Sequence, residues 1–204
     1  MKTKIKLCGL SRICDIEAAN MLNPDYIGFV FFKNSSRYLS SEKASTLREK
    51  LSPEIKAVGV FVREDAEVVA GLLERGVVDM AQLHGGEDEE YIRHLRKLTG
   101  KPLIKAFRVR TAEDIAAAEK CSADYVLLDS GEGGTGSVFD WGVLGRMKRP
   151  YFLAGGLTPE NVGRAVREFH PFAVDVSSGI ETGGWKDTEK MAAFAAAVRK
   201  EEKR

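Results

Sequence analysis

A thiol and a carboxyl, Cys8 and Asp129, each end an apolar run of the sequence, and together they could move protons. Cys8 follows "IKL" and precedes a glycine, and Asp129 follows "YVLL". A free thiol has a pKa of about 8.5, so modest tuning would make a thiolate base accessible. A carboxyl at the end of an apolar strand is desolvated, which favours its protonated form. The pair therefore predicts proton transfer, with Asp129 as the acid and Cys8 as the base.

Three further polar side chains, Arg37, His84 and Asp175, follow or end other apolar runs. Each also has a structural explanation: Arg37 as a solvated loop charge, His84 as a core histidine, and Asp175 as support for the "SSG" turn. In the same way Cys8 could simply pack and Asp129 could cap a loop. However, polar or reactive residues gather at the same end of six strands. This repetition favours one shared site.

Three glycine-rich turns follow the last three apolar runs: "GGTG" at 133–136, "AGG" at 154–156 and "SSG" at 177–179. Glycine lets backbone N–H groups approach an anion without a Cβ in the way. Barrel enzymes often bind phosphate at the loops after strands seven and eight. A tight turn that needs positive φ would be the simpler explanation of any one of them. Three converging turns favour a phosphate site.

Eight short apolar runs alternate with segments of helical periodicity along the whole chain. The runs are nearly continuous in Val, Ile, Leu and Phe, which is typical of strands buried on both faces of a parallel sheet. N-cap residues are predicted at Asp65, Thr111 and Thr158. The runs are "IKLCG", "YIGFVFF", "IKAVGVFV", "VDMAQLHG", "LIKAFRV", "YVLLDS", "YFLAGG" and "FAVDVSSG".

Eight strand–helix repeats predict the α/β class and a single (β/α)₈ TIM barrel with eight parallel strands. An open doubly wound sheet is the alternative. With no linker or low-complexity tract in sight, we predict one barrel domain over residues 1–204. In such a barrel the carboxyl ends of the strands face the active site, which is where the polar side chains gather.

The composition limits the kinds of partner and cellular compartment that we expect for the protein. The 204 residues include 31 Lys plus Arg and 30 Asp plus Glu, a net charge of +1, so we expect no nucleic acid and no membrane partner. Cys8, Cys14 and Cys121 form no C-x-x-C pair, which favours a reducing compartment over disulfides or zinc. The basic N-terminus lacks an apolar run typical of a signal peptide, so a cytoplasmic protein is predicted.

The sequence also resembles a known family, the phosphoribosylanthranilate isomerases of tryptophan biosynthesis, over essentially the whole chain. The resemblance is carried, in family order, by "KLCGL", "GFVF…SSRYLS", "VGVF", "QLHGGE", "LLDSGEGGTGSVFDW", "LAGGLTPENV" and "VDVSSGIE…KD". It implies a (β/α)₈ barrel that catalyses the Amadori rearrangement of N-(5-phosphoribosyl)anthranilate to the 1-deoxyribulose 5-phosphate product. The substrate would be a small phosphosugar, with no cofactor and no metal, and the protein a monomer or homodimer.

Roles for individual residues follow from the resemblance. Cys8 matches the general base and Asp129 the general acid; Arg37 would pair with the anthranilate carboxylate and Asp175 would lie near the anthranilate amine. His84 matches a polar residue of the site mouth. The residues that fall in the family's phosphate loops are Gly134, Gly156, Ser178 and Gly179.

The sequence departs from the family pattern in two places. The stretch "ETGGWKD" lacks the Pro-Gly that usually precedes Lys-Asp, so Gly183 and Gly184 would loosen the last loop. Ser36 stands where a proline is common before Arg37, which could change how firmly Arg37 is held.

Two other functions remain open at this point. The related histidine-pathway sugar isomerase performs the same rearrangement on a larger aminoimidazole substrate, but it carries an Asp in place of Cys8 and has two phosphate sites. A phosphate-binding barrel without catalysis is the other alternative, and it would leave Cys8 and Asp129 dispensable.

Overall fold

Eight parallel strands close into a barrel in the computed structural model, which describes residues 2–129 and 147–201. Strand β1 pairs with β2 on one side and with β8 on the other, so the sheet has no free edge. The predicted (β/α)₈ barrel is confirmed, and the open doubly wound sheet is wrong. The strands are β1 Lys4–Cys8, β2 Tyr26–Val30, β3 Lys56–Phe61, β4 Met80–Leu83, β5 Leu103–Arg108, β6 Tyr125–Asp129, β7 Tyr151–Ala154 and β8 Ala173–Val176.

Helices on the outside of the barrel connect most of these strands. They are α1 Ile13–Leu22, α2 Ser41–Arg48, α3 Ala66–Glu74, α4 Glu89–Leu98, α5 Ala112–Lys120, α6 Val162–Phe169 and α7 Thr188–Glu201. Helix α1 was not predicted from the periodicity of the sequence. None of the helices in the described ranges is long and apolar enough to cross a membrane.

The predicted helix starts are confirmed at two positions and displaced at a third. Asp65 directly precedes α3, and Thr111 precedes α5, where it forms a reciprocal capping box with Asp114. Thr158 is not the N-cap of α6, because that helix begins at Val162 after Asn161. The Asn161 side chain instead accepts a hydrogen bond from the Thr158 N–H at 2.8 Å, so a turn precedes the helix.

The inside of the barrel changes character along its axis. Its lower part is filled by an apolar cluster of Tyr26, Val58, Met80, Ile104, Leu127, Phe152, Ala154 and Ala173. Since side chains alternate between the two faces of a strand, the inner positions of β1 continue from Lys4 through Lys6 to Cys8. The same alternation on β6 and β8 places Asp129 and Asp175 on the inner face. Polar groups therefore begin where the apolar filling ends.

A small hairpin follows β8, formed by strands β9 Glu181–Thr182 and β10 Trp185–Lys186. Its two turn residues, Gly183 and Gly184, have φ of 58° and 82°. A two-residue turn with both φ values positive is the turn that closes hairpins tightly, and it favours glycine. The expectation that these glycines loosen the loop stays a prediction, although the hairpin is closed by hydrogen-bonded pairing of β9 with β10. The two glycines let the chain reverse and return Lys186 to the barrel mouth.

The described residues form one barrel. The prediction of a single domain over residues 1–204 extends beyond them and stays a prediction.

Candidate active site

The five predicted catalytic and substrate-binding side chains lie at one end of the barrel. Cys8 is the last residue of β1, Asp129 is the last of β6, and Asp175 lies in β8. His84 directly follows β4, and Arg37 lies in the loop between β2 and α2. All five belong to the carboxyl ends of parallel strands or the loops after them, so closure of the barrel brings them to one rim.

Cys8 is held in a narrow space at this rim. Its side chain is buried, with 8% of the residue exposed. A Cβ added at Gly28 on the neighbouring strand would lie 2.6 Å from the Cys8 Sγ, so only glycine leaves room for this thiol. Burial raises the pKa of the Cys8 thiol, while the nearby Lys6 ammonium acts in the opposite direction. The pKa of Cys8 is therefore shifted away from the thiolate form, whereas the sequence predicts a modest shift toward it.

Lys6 lies two residues before Cys8 on the inner face of β1, and it was not predicted as a site residue. Its Nζ donates to both carboxylate oxygens of Asp175 at 3.0 Å, and the Lys6 side chain is completely buried. Burial alone would lower the pKa of Lys6, but the charges of Asp175 and Cys8 outweigh burial and raise it. A lysine inside an apolar strand, two residues from the candidate base, was the available signal.

Arg37 is fixed by a carboxylate from the hairpin after β8. Its Nε and Nη2 each donate to one oxygen of Glu181 at 2.6 Å, a bidentate ion pair. Burial favours the neutral acid, but the hydrogen bonds from Arg37 and Lys186 outweigh it and lower the pKa of Glu181. Gly9 also makes room for Arg37, since a Cβ there would lie 2.5 Å from the Arg37 Cδ.

Lys186 links this ion pair to Cys8. Its Nζ donates to Glu181 Oε1 at 2.5 Å and to the backbone oxygen of Ser177 at 2.9 Å. The Ser177 hydroxyl in turn donates to the Cys8 carbonyl oxygen at 3.1 Å. Burial lowers the pKa of Lys186, partly offset by Glu181 and Cys8. Glu181 and Lys186 were not predicted as site residues, because their roles depend on the hairpin geometry.

Asp129 faces His84 across the opposite part of the rim. The Asp129 Oδ2 lies 3.4 Å from the His84 Nε2, and 26% of the Asp129 side chain is exposed. Asp129 is therefore less desolvated than its apolar strand predicts. The Gln82 Nε2 lies 2.9 Å from the His84 Nδ1. If the amide donates there, the remaining ring hydrogen sits on Nε2 and points at Asp129.

A buried ion pair supports the loop that carries His84. Lys105 Nζ donates to the Glu87 carboxylate at 3.0 Å, and both side chains are almost fully buried. The same carboxylate accepts from the backbone N–H groups of Gly85 and Arg63, each at 2.9 Å. Arg63 has φ of 51°, an uncommon value for a side chain other than glycine. Glu87 thus ties the loops after β3 and β4 together beside the site.

The loops after β7 and β8 meet at the positions predicted to bind phosphate. Gly156 has φ of 64°, and Ser178 begins a short 3₁₀ turn over Ser178–Ile180. A Cβ at Gly179 would lie only 1.9 Å from the carbonyl oxygen of Leu157, so the two loops approach each other more closely than any side chain permits. Gly134, the remaining predicted phosphate residue, lies outside the described residues.

Metal ligation has no support in the described part of the chain, where no group of three or more His, Cys, Asp or Glu side chains could hold an ion. The predicted absence of metal and cofactor stays a prediction.

The closed barrel and the polar side chains at the carboxyl ends of its strands place this protein in the class of (β/α)₈-barrel enzymes. Residues 5–197 match the family model described as N-(5'phosphoribosyl)anthranilate (PRA) isomerase. The chain is 44% identical over 202 residues to the N-(5'-phosphoribosyl)anthranilate isomerase of Caldanaerobacter subterraneus subsp. tengcongensis, covering 96% of this chain and 98% of that one.

Solved structures agree with this match. One of a phosphoribosylanthranilate isomerase in complex with reduced 1-(o-carboxyphenylamino)-1-deoxyribulose 5-phosphate has a TM-score of 0.84 at 33% identity, covering 97% of this chain and 99% of that chain. Monomers of the dimeric enzyme from Thermotoga maritima give 0.83 at 33% identity and the same coverage. The chain belongs to the N-(5'-phosphoribosyl)anthranilate isomerase family.

Proposed function

We propose that Asp129 is the general acid and Cys8 the general base of the isomerase reaction of this family. That reaction is the Amadori rearrangement of N-(5'-phosphoribosyl)anthranilate, a step of tryptophan biosynthesis. The observation that carries the assignment is that Cys8 and Asp129 end β1 and β6 on the inner face of one barrel mouth. An acid and a base at one mouth can act on opposite ends of the same small sugar.

The proton transfers balance across the two groups. Asp129 donates its proton to the furanose ring oxygen as the C1′–O bond breaks, and the nitrogen lone pair forms the C1′=N bond of a protonated Schiff base. The Cys8 thiolate then removes the proton from C2′. The electrons of that C–H bond form an enolamine and neutralise the nitrogen. C1′ then gains a proton and the C2′ hydroxyl loses one, which converts the enolamine to the ketone without a redox step. Cys8 is left protonated and Asp129 ionised, and proton exchange with water restores both groups.

Arg37 would bind the anthranilate carboxylate. Glu181 uses the Nε and Nη2 of the guanidinium, which leaves Nη1 without a partner in the described part of the chain. An arginine fixed on one edge presents its other edge to a planar carboxylate in a defined direction. Asp175, beneath Cys8 and paired with Lys6, would lie near the anthranilate amine, and His84 would line the mouth beside Asp129.

The sugar phosphate would bind at Gly156, Ser178 and Gly179, with Gly134 as the predicted fourth member. The close contact of the loops after β7 and β8 and the exposure of Gly156 and Ser178 support this placement. Backbone N–H groups in such glycine turns suit an anion.

The predicted partner is one small phosphosugar and no nucleic acid, and the protein is predicted to be a cytoplasmic monomer or homodimer. A dimer has a precedent in the Thermotoga maritima relative.

The thiol at the base position argues against the histidine-pathway isomerase, in which an Asp is expected there. Turnover of its aminoimidazole substrate by this chain would reopen that alternative.

The decisive experiment is steady-state turnover of freshly made phosphoribosylanthranilate by Cys8→Ser and Asp129→Asn. Each variant should lower kcat by about 10²–10⁴-fold with little change in substrate binding, as is typical when a general acid or base is lost. Cys14→Ser is the matched control, because Cys14 is exposed, and it should keep wild-type turnover. Near wild-type kcat in both site variants would refute the acid–base assignment and favour a non-catalytic barrel.

A further inference from the structure

We infer that Lys6 is a positioning residue whose buried ammonium stabilises the Cys8 thiolate and fixes the Asp175 carboxylate beneath it. This inference rests on the proposed function, since it matters to catalysis only if Cys8 is the base. It assigns a role to a side chain that neither touches the sugar in the proposed mechanism nor was predicted from the sequence.

The geometry places Lys6 level with Asp175 and two residues before Cys8 on the same strand. Lys6 and Cys8 are two residues apart on β1, so both point into the barrel. Lys6 and Asp175 are register partners on adjacent strands, and the Lys6 Nζ contacts both Asp175 oxygens at 3.0 Å. The Lys6 side chain has no exposed surface. A charge sealed from water is weakly screened and acts strongly on a neighbouring thiol.

Among the described residues, the charged groups around Cys8 include one more cation than carboxylates. The charged groups that act on the thiol in the described ranges are Lys6 on β1, Asp175 on β8, Lys186 on β10 and Arg37 in the loop after β2. Cys8 also packs against the apolar residues Val30, Val60 and Phe32. With Glu181, which pairs with Arg37 and Lys186, the group holds three cations and two carboxylates. A thiolate at Cys8 would balance this group.

The excess positive charge lies with Arg37 and Lys186, and Lys6 is instead the cation whose position relative to Cys8 is most rigidly fixed. Arg37 and Lys186 share Glu181, and Lys186 also donates to two oxygens of Ser177. Lys6 pairs with a single carboxylate, that of Asp175, within the described ranges. It lies on the same strand as Cys8, so their separation is set by the backbone rather than by a flexible loop. In the reaction Lys6 keeps its proton, and the thiolate it stabilises accepts the proton from C2′.

The test is a titration of Cys8 without substrate, in a Cys14→Ser/Cys121→Ala background in which Cys8 is the remaining thiol. Ultraviolet thiolate absorbance against pH reports its ionisation. Lys6→Met should move the midpoint up by about one pH unit or more, equivalent to about tenfold in the ionisation constant. Lys105→Met is the matched control, because it removes another buried lysine from an ion pair, with Glu87, and should leave the Cys8 midpoint unchanged.

Asp175→Asn provides a second variant should Lys6→Met not fold. It keeps the ammonium and removes its counter-charge, so the Cys8 midpoint should move down. A midpoint that stays within error of the parent in either variant would overturn the inference and leave the pair as a structural contact. Because the titration uses no substrate, this failure is distinct from failure of the proposed function, which the turnover of Cys8→Ser reports. In turnover assays, Lys6→Met should also move the acidic limb of the kcat profile to higher pH.

Discussion

The two oxygens of Glu181 each accept a hydrogen bond from Arg37 at 2.6 Å, which joins the loop after β2 to the hairpin after β8. These residues are 144 positions apart in the chain. The pair spans the end of β1, the strand between β8 and β2 that ends at Cys8, and Gly9 leaves space there for the Arg37 side chain. Arg37 is therefore held in one orientation, as the proposed binding of the anthranilate carboxylate requires. Since an arginine side chain carries about 2 kcal/mol of rotamer entropy, this orientation should favour binding.

Glu181→Ala tests the orienting role. Freed from Glu181, Arg37 should sample more rotamers, and KM for phosphoribosylanthranilate should rise about 2- to 10-fold, the equivalent of one ordinary hydrogen bond. On the plateau of its pH profile the kcat should change little, because neither residue transfers a proton in the proposed mechanism. Steady-state kinetics measure both values. Arg37→Ala should raise KM further.

Glu168→Ala is the control for this variant, since it removes an exposed glutamate that pairs with Arg164 on α6. A KM that falls in Glu181→Ala would show that Glu181 competes with the substrate carboxylate for Arg37 instead of orienting it. An unchanged KM in Arg37→Ala would remove Arg37 from the anthranilate pocket.

Gly28→Ala should displace the Cys8 thiol. The added methyl group would lie 2.6 Å from the Cys8 Sγ, closer than a real Cβ contact, so the thiol must turn away. A displacement of about 1 Å at a reacting group can cost about 10²-fold in rate, and kcat should fall on that order. Gly100→Ala is the control, because a Cβ at that position would meet nothing within 4 Å and activity should be retained. Equal kcat in the two variants would contradict the placement of Cys8.

Gly179→Ala should weaken phosphate binding. A Cβ at this position would lie 1.9 Å from the Leu157 carbonyl oxygen, so the loops after β7 and β8 must separate. Both KM for the substrate and the inhibition constant of inorganic phosphate should rise, since the two ligands share the displaced N–H donors. Gly163→Ala, in the neighbouring helix α6, meets its nearest atom at 3.4 Å and should leave both constants unchanged. A rise in KM with unchanged phosphate inhibition would locate the phosphate elsewhere.

Glu87→Gln should destabilise the protein in a pH-dependent way. Burial raises the pKa of Glu87, but the Arg63 N–H and the Lys105 charge outweigh it and hold the pKa below the ordinary value of 4.5. A lowered folded-state pKa gives a stabilisation that is full above that ordinary value and is lost as pH falls through the folded value. At neutral pH the variant leaves Lys105 buried and unpaired, which costs about 3–5 kcal/mol.

Denaturant unfolding at several pH values measures this difference, which should shrink on acidification below about pH 4.5. Glu67→Gln, an exposed glutamate beside His94, serves as the control and should show a much smaller effect. A difference that stays constant across the acid range would contradict the role of the Glu87 charge.

The local pattern of the sequence was sufficient to predict the strands and several helix starts. Eight apolar runs of strand length, each buried on both faces, admit few arrangements other than a parallel sheet with helices outside it. The capping residues Thr111 and Asp114 act on neighbours three residues away, so their contact is local and readable. The prediction of Thr158 as an N-cap was wrong, because the Asn161 side chain accepts the hydrogen bond from the Thr158 N–H and the helix begins after Asn161.

What the sequence by itself determined is therefore the fold and the residues that end its strands, because strand periodicity and the ends of parallel strands are local properties. The tertiary structure alone decided which charges surround them. Lys6 meets Asp175 across 169 positions and Arg37 meets Glu181 across 144, while Lys186 reaches Glu181 because Gly183 and Gly184 reverse the chain. Ion pairs of this kind depend on the register of distant strands and on a hairpin turn, which no spacing of residues along the chain specifies.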